Sequence, residues 1–423
     1  MSALARILLQ RGASVQGSDP TWSYVTEDLQ KAGAKIFTYH SPAHLDAPCT
    51  AIYGSAIKPE HPEYSAALEN QFPLLHRSDL LAELMEGYQP LLVTGTHGKT
   101  TTSCLLTYVL QTAGYDPTFA LGGVALNSYS NGEQGKGIYF VAEADESDGT
   151  FLKYPATGAI ITNIEEDHLD YWKTKEALIE GFRQFAARIP ALLWWCADDP
   201  ILSSLNLQGK SYGESQKADL CITRWCQKGF ELDFDIAYAR KIYSNIRLSL
   251  IGLHNVANGA AVFGMALDLG VPEDAIRKAF ATFKGVKRRL EKKGEKNGAL
   301  FYDDYAHHPT EIVTTLKGLR AAVGEKRIVV VFQPHRYTRV RDCWQEFTKA
   351  FTDADVLFIT DIWSAGETPI PGFDVARLTR EIQQSSFYVP RVSLVQEVAK
   401  FIRPHDVVIT LGAGDVTEVC NQL

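Results

Sequence analysis

The run with the clearest chemistry is Gly95-Thr96-His97-Gly98-Lys99-Thr100-Thr101-Thr102, which follows the apolar stretch Leu91-Leu92-Val93. Phosphate binding needs a buried strand, a glycine-containing turn and a helix in that order. Glycines let backbone N–H groups turn inward on phosphate oxygens, and the helix N-terminus adds its positive end. Lys99 would neutralise β and γ charge, and Thr100 would offer a hydroxyl to Mg2+. The spacing departs from the usual GxxxxGK[ST], because Gly95 stands only three residues before Gly98. The plainer alternative is an ordinary strand-to-helix turn with an exposed lysine, and the flanking elements weigh against it.

Phosphoryl transfer also needs acids to hold a metal, usually at the end of a neighbouring strand. The segment Tyr139-Phe140-Val141-Ala142 leads directly into Glu143-Ala144-Asp145-Glu146-Ser147-Asp148. A solvated acidic turn is the alternative. A third polar cluster, Thr162-Asn163-Ile164-Glu165-Glu166-Asp167-His168-Leu169-Asp170, again follows an apolar strand and offers His168 as a ligand to a second metal or to its water. In open α/β sheets ligands gather at this edge, beyond the carboxyl ends of the strands. Further on, Arg336 and Arg339 follow the apolar strand Ile328 to Phe332, where guanidinium forks can grip carboxylate or phosphate. His307-His308 lies between Asp303-Asp304 and Pro309 and reads equally as a ligand pair or a helix N-cap cluster. Lys287-Arg288-Arg289 reads equally as a phosphate contact or a solvated linker.

These residues need a scaffold, and the chain has the material for one. At 423 residues it is long enough for roughly three domains, and 45% hydrophobic with 22% charged residues is the composition of a folded globular protein. Up to about residue 88, helix and strand signals alternate, which predicts a small parallel sheet. A second unit opens at Leu91-Leu92-Val93 and continues through helix Thr101 to Thr112 and strands Ile138 to Ala142, Gly158 to Thr162 and Ala191 to Cys196. The alternating stretch Leu220 to Leu250 reads as edge strands. The basic run Lys284 to Gly298 reads as a linker to a third α/β unit that starts at Leu300 and includes a helix from Val340 to Ala350.

A net charge of −8 argues against sequence-independent nucleic-acid binding. Seven cysteines without a CxxC pair predict reduced core thiols in a cytoplasmic protein. No apolar run approaches the roughly 18 residues of a membrane span. No switch or catalytic-loop motif of a P-loop motor or kinase is present.

With these pieces in place, the chain resembles the Mur ligases. The glycine loop, Glu143 to Asp148, Thr162 to His168 and Gly252-x-His254-Asn255-Val256-x-Asn258 carry the likeness. Asp303-Asp304-Tyr305-Ala306-His307-His308-Pro309-Thr310-Glu311 and Phe332-Gln333-Pro334-His335-Arg336-Tyr337-Thr338-Arg339 are similar to the L-alanine-adding members in particular. The resemblance runs over essentially the whole chain.

It implies an α/β protein of three domains: a Rossmann-like UDP-binding domain over 1–88, a central P-loop ATPase domain over 89–293, and a Rossmann-like domain over 294–423 that binds the amino acid and closes the site. The implied activity is ATP- and Mg2+-dependent ligation of L-alanine to UDP-N-acetylmuramate through an acyl-phosphate, in peptidoglycan biosynthesis, by a monomer or homodimer. By the same resemblance Gly95, Thr96, His97, Gly98, Lys99, Thr100 and Thr101 cradle ATP. Thr100 and Glu143 hold one Mg2+, and His168 serves the second. His254, Asn255 and Asn258 meet adenine and ribose. Asp304, Tyr305, His307, Arg336 and Arg339 complete the site, with the arginines facing the amino-acid carboxylate and the acyl-phosphate.

One departure bears on substrate binding. The family's first domain begins with a strand and a Gly-rich turn that ends in Gly-Met. Here Met1 stands at that methionine, and Ser2 to Arg11 reads as a helix with no strand before it. The expectation is that the reading frame continues upstream. Ser18-Asp19 and Gly54-Ser55-Ala56-Ile57 are what remains of the uridine site. Two rival readings stand. One is a ligase that recycles whole peptides onto the same UDP-sugar, whose third-domain motif differs from Gln333 to Arg339. The other is a non-catalytic binding homologue, against which stand Lys99, Thr100, Glu143 and His168.

Overall fold

The computed structural model describes residues 1–45, 47–189 and 192–423. The chain divides into two compact units. The first comprises Met1–Arg224, Asp235–Ser244 and Ala257–Phe283; the second comprises Trp225–Phe234, Asn245–Val256 and Lys284–Leu423.

The first unit opens on the expected amphipathic helix, Ser2–Gln10, which buries Ala3, Leu4 and Ile7. Four three-residue strands follow: β1 (Gln16–Ser18), β2 (Lys35–Phe37), β3 (Ala51–Tyr53) and β4 (Leu74–His76). The single small sheet expected here is corrected to two. β1 pairs in parallel with β2 and β3 with β4, as separate two-stranded sheets. Residues of all four strands line a cavity of about 880 Å3, so these short strands flank a space and do not bond across it.

The central sheet is built around β5 (Gln89–Thr94). With β6 (Thr118–Ala125), β7 (Ser130–Glu133), β8 (Tyr139–Glu143), β9 (Gly158–Ile161), β10 (Leu192–Cys196) and β11 (Lys210–Gly213), it contains the run β11-β10-β9-β5-β8-β6-β7, part of a ten-stranded sheet. Register fixes what this does for chemistry. Val93 of β5 aligns with Glu143 of β8 on one side and with Ile160 of β9 on the other, all in parallel. The segments that leave these three strands therefore emerge at one edge, as strand polarity in an open α/β sheet dictates. The helix Lys99–Thr112 follows β5 and sinks Cys104, Leu105, Leu106, Val109 and Leu110 completely. It starts two residues before the sequence suggested, because Gly98 turns the backbone into the left-handed region at φ 84° and frees Lys99 to begin the helix. The expected strand from Ala191 begins at a residue outside the described ones; β10 is described from Leu192.

The stretch Leu220 to Leu248 forms β12 (Leu220–Lys228), β13 (Glu231–Tyr238) and β14 (Lys241–Leu248), as its alternation predicted.

The second unit holds a six-stranded sheet of β15 (Glu291–Lys296), β16 (Ala299–Asp304), β17 (Ile328–Phe332), β18 (Val356–Ile359), β19 (Ser386–Tyr388) and β20 (Val407–Leu411), ordered β15-β16-β20-β17-β18-β19. β17 is wholly buried. Val330 and Phe332 join one core with Leu316, Phe347 and Phe351, while Val329 and Val331 join another with Phe358 and Val408. That division is the two-residue period of a strand covered on both faces.

Two expectations fail in this unit. The run Lys284 to Gly298 is not a linker, since β15 lies inside it, antiparallel to β16. Its lysines and glutamates are those of an edge strand, which carries charge where a central strand cannot. The helix expected over Val340 to Ala350 is two short ones, Tyr337–Asp342 and Trp344–Phe347, separated where Cys343 leaves helical geometry at φ −108° and ψ 26°.

Candidate active site

The glycine loop between β5 and its helix is strapped to the segment after β9. The Thr96 N–H donates to the Asn163 carbonyl at 3.0 Å, and the His97 N–H donates to Asn163 Oδ1 at 2.9 Å. Thr162 Oγ1 and Asn163 Nδ2 donate back to the His97 carbonyl at 2.6 and 3.0 Å. Gly95, at φ 127°, has no room for a side chain, because a Cβ there would collide with Thr162 and the Asn163 backbone. Gly98 lies against Asn258, whose amide would sit 3.1–3.2 Å from an added Cβ. The loop is thus shaped before any ligand arrives, which is the preorganisation a phosphate cradle requires.

Lys99 reaches back over this loop. Its Nζ donates to the carbonyls of Gly95 and Thr96 at 2.7 and 3.1 Å and to the two carboxylate oxygens of Glu146 at 3.0 and 2.8 Å. Burial alone would lower the Lys99 pKa, but the carboxylates of Glu146, Asp145 and Glu143 outweigh it and hold the ammonium charged. Glu146 is buried to 1% exposure, and that burial pushes its pKa up although Lys99 pulls the other way. Trp172 Nε1 donates to the Glu146 carbonyl at 3.0 Å and pins the segment. Sequence reasoning placed Glu146 in the acidic run but chose Glu143 as the functional acid. The lysine's carboxylate partner was legible only as one of four nearby acids.

Glu143 ends β8 and accepts the Gly122 N–H at 3.1 Å. His168 stands at the N-cap of the short helix Leu169–Trp172 with φ 56°, a left-handed backbone unusual for a side-chain-bearing residue. Its Nε2 lies 3.9 Å from Glu146 Oε1 and 3.6 Å from Asp167 Oδ2. Glu146 therefore adjoins both Lys99 and His168, drawing groups that follow β5, β8 and β9 to one place. The buried Thr100 hydroxyl and the carboxylates of Glu143, Asp145 and Glu146 are hard oxygen donors of the kind Mg2+ takes. The donor set fits that ion, and the His168 imidazole suits a water in its shell better than the ion itself.

The third-domain residues gather in the second unit. Asp304, at the end of β16, accepts the N–H groups of Leu290 and Ala306 at 2.7 and 2.8 Å, and burial pushes its pKa up to about 6. His307 Nδ1 lies 3.0 Å from the Tyr305 carbonyl and must donate to it, which leaves Nε2 with its lone pair. Burial holds His307 down at about 4. His335 is held down at about 3, chiefly by burial, and its Nδ1 accepts from Arg339 at 3.2 Å. The His307 and His335 rings lie 5.4 Å apart. Arg336 pairs with Glu367 at 3.0 Å and has a left-handed backbone at φ 66°.

His308 caps the helix Pro309–Val323, its N–H donating to Glu311 at 3.3 Å, so the capping alternative describes its place. Arg288 donates to the carbonyls of Gly412 and Gly414 at 2.5 and 3.2 Å and stacks over Tyr305 at 4.9 Å, so it is not a solvated linker residue. His254 and Asn255 open the helix Leu253–Asp268 in the second unit, while Asn258 lies in the first unit against Gly98.

Comparison with known proteins agrees with this arrangement. Residues 1–89 match the Mur ligase family, catalytic domain, residues 93–266 the Mur ligase middle domain, and residues 288–414 the Mur ligase, glutamate ligase domain. A UDP-N-acetylmuramate--L-alanine ligase of Protochlamydia amoebophila is 49% identical, over 100% of this chain and 94% of its own length. A bifunctional enzyme MurC/Ddl of Chlamydia pneumoniae is 43% identical over 98% of this chain, which spans about half of that protein at 52%. The crystal structure of UDP-N-acetylmuramate-alanine ligase MurC from Thermotoga maritima superposes with a TM-score of 0.86 at 27% identity, covering 100% of this chain and 95% of that one. A preshaped phosphate loop, its lysine among acids, and full-length relatives at this identity place the chain in the Mur ligase family of ATP-dependent, Mg2+-using ligases.

Proposed function

We propose that this chain joins L-alanine to the lactyl carboxylate of UDP-N-acetylmuramate at the expense of ATP, forming an amide of the peptidoglycan precursor. The observation that carries the reading is the convergence of Lys99, Glu146 and His168 beyond the ends of three adjacent parallel strands, in a chain of this family. In the reaction a carboxylate oxygen of the lactyl group attacks the γ-phosphorus of ATP, and ADP leaves. The amine of L-alanine then attacks the acyl carbon, and the tetrahedral intermediate expels phosphate. Mg2+ held by Thr100 and Glu143 would offset the charge that builds as the two anions approach.

The chain's own residues supply the rest. The loop N–H groups and Lys99 bind and orient the triphosphate. Thr100 and Glu143 are the residues we assign to the metal, with His168 holding water beside it. Arg339 and Arg336 are assigned to the amino-acid carboxylate and the acyl-phosphate. Asn258, with His254 and Asn255, is assigned to the nucleoside, and Asp304 and Tyr305 to its closure. His307, neutral and with Nε2 bare, can take the proton the alanine amine must lose. We place the reaction in the cytoplasm, where ATP is made and where seven cysteines without a disulfide are at home.

The test is phosphate release from Mg-ATP with each substrate omitted in turn. Release that requires both UDP-N-acetylmuramate and L-alanine supports the reading. Release driven by a tripeptide but not by L-alanine would move the chain to the peptide-recycling ligases, and none with either would make it a binding homologue.

A further inference from the structure

A second group of potential metal ligands lies in the first unit, well before the glycine loop in sequence, beside Ser18, which the family resemblance places at the uridine site. His40 and His44 sit in the segment after β2. His61 caps the helix Pro62–Glu69, and Glu63 lies in that helix's first turn. One ring nitrogen of His40, one of His61 and one carboxylate oxygen of Glu63 all lie within 4.8 Å of one another. The rings of His40 and His61 meet edge to face, 4.4 Å between centroids.

Two features separate this group from a chance cluster. Among the described residues, both ring nitrogens of His61 are closed to solvent and without a hydrogen-bond partner, and so is Nε2 of His44, a residue only 7% exposed. A buried imidazole with nothing bound to it is a cost the fold carries unless something arrives to use its lone pair. Glu63 is, by contrast, fully oriented. Its Oε1 lies 2.8 Å from His44 Nδ1 and accepts the Ser41 N–H at 3.2 Å, while Ser18 Oγ donates to Oε2 at 2.6 Å. Ser18 Oγ also lies 2.8 Å from His40 Nδ1, which stands 4.0 Å from Glu63 Oε1. Burial acts to raise the Glu63 pKa, but these hydrogen bonds outweigh it, so the carboxylate stays ionised. His44, stacked on Phe37 at 3.7 Å, holds that carboxylate as outer histidine–carboxylate pairs hold metal ligands.

We propose that His40, His61 and Glu63 bind one divalent transition-metal ion of the zinc class, tying the segment after β2 to the start of the helix Pro62–Glu69. Two imidazoles and a carboxylate leave a fourth, water-filled position on a tetrahedral ion, with bonds of about 2.0–2.2 Å. Closing on the ion takes side-chain rotation, and His40 exchanges its Ser18 contact for the metal. The donor set is too nitrogen-rich for Mg2+ or Ca2+ and so is distinct from the acid cluster that follows β8.

The experiment titrates Co2+ into the metal-free full chain and follows visible absorption, since tetrahedral nitrogen-ligated cobalt absorbs strongly and six-coordinate oxygen-ligated cobalt weakly. The wild-type chain is expected to develop strong bands that saturate at one equivalent and are displaced by Zn2+. His61→Asn and His40→Ala should each weaken this binding at least about tenfold. His40 is exposed, so its variant leaves folding intact and decides the matter if His61→Asn misfolds. Absence of the strong bands in wild type, or identical titrations of wild type and His40→Ala, would overturn the proposal.

Discussion

Lys99 and Glu146 form a buried ion pair in which the ammonium contacts both carboxylate oxygens, at 2.8 and 3.0 Å, while also capping the carbonyls of the glycine loop. The pair holds Lys99 over the phosphate cradle before nucleotide binds. It also means that ATP must compete with Glu146 for the ammonium, so the lysine exchanges one set of anionic oxygens for another and never faces the cavity uncompensated.

Removing one partner of such a pair strands a charge. Lys99→Met should lose about 3–5 kcal/mol of stability, and Lys99→Met/Glu146→Gln should recover much of it. Both should lose phosphate release by at least about a hundredfold. Urea unfolding beside a phosphate assay separates the two effects. Equal stability of the single and double variants would mean that the pair is not formed.

Gly122 bears on Glu143. Its N–H donates to that carboxylate, and an added Cβ would meet the carboxylate atoms at 2.5–2.8 Å. Gly122→Ala should therefore displace Glu143 and raise the Mg2+ concentration for half-maximal rate roughly tenfold, with thermal stability nearly unchanged. Mg2+ titration of initial rates checks this.

His168 carries a left-handed backbone, φ 56°, which costs about 1–2 kcal/mol for an ordinary side chain and less for Asn. His168→Asn should keep the fold and lose activity, with partial rescue by excess Mg2+. His168→Ala should lose similar activity and melt lower. A variant with wild-type activity would remove His168 from the site.

Asp304, which is buried, and His335, which is half-buried, should give pH dependences of opposite sign. Asp304 is raised from 3.8 to about 6, so it contributes stability below pH 3.8 that is lost as pH rises through about 6. His335 is lowered from 6.5 to about 3, so its contribution is present above pH 6.5 and lost as pH falls toward about 3. Relative to wild type, Asp304→Asn should gain urea resistance as pH rises from 3.8 to about 6. His335→Gln should gain it as pH falls from 6.5. Urea midpoints at stepped pH read both.

The loop and the strands that position it were legible because their signals are local: an apolar strand, a glycine turn and a helix in immediate succession. Glu143, Glu146 and His168 were legible as members of polar runs at strand ends. Which acid meets Lys99 depends on the register of β5 against β8, and no local pattern encodes it. β15 reads as a linker because an edge strand bears the Lys and Glu of a loop. β6 is hidden because Gly122 there makes room for Glu143, a requirement that lies 21 positions away in sequence. The paired sheets β1-β2 and β3-β4 were anticipated as one because alternation reports elements, while their mutual bonding is set by what lies between them. His61 drew no notice, since a lone histidine before proline reads as a cap.

The most direct test of the ligase account follows an atom. UDP-N-acetylmuramate carrying heavy oxygen in its lactyl carboxylate is turned over with L-alanine and Mg-ATP, and the released phosphate is analysed by mass spectrometry. Activation of that carboxylate by the γ-phosphoryl group predicts that one labelled oxygen appears in inorganic phosphate. Turnover that leaves the phosphate unlabelled, or that yields pyrophosphate, would contradict it.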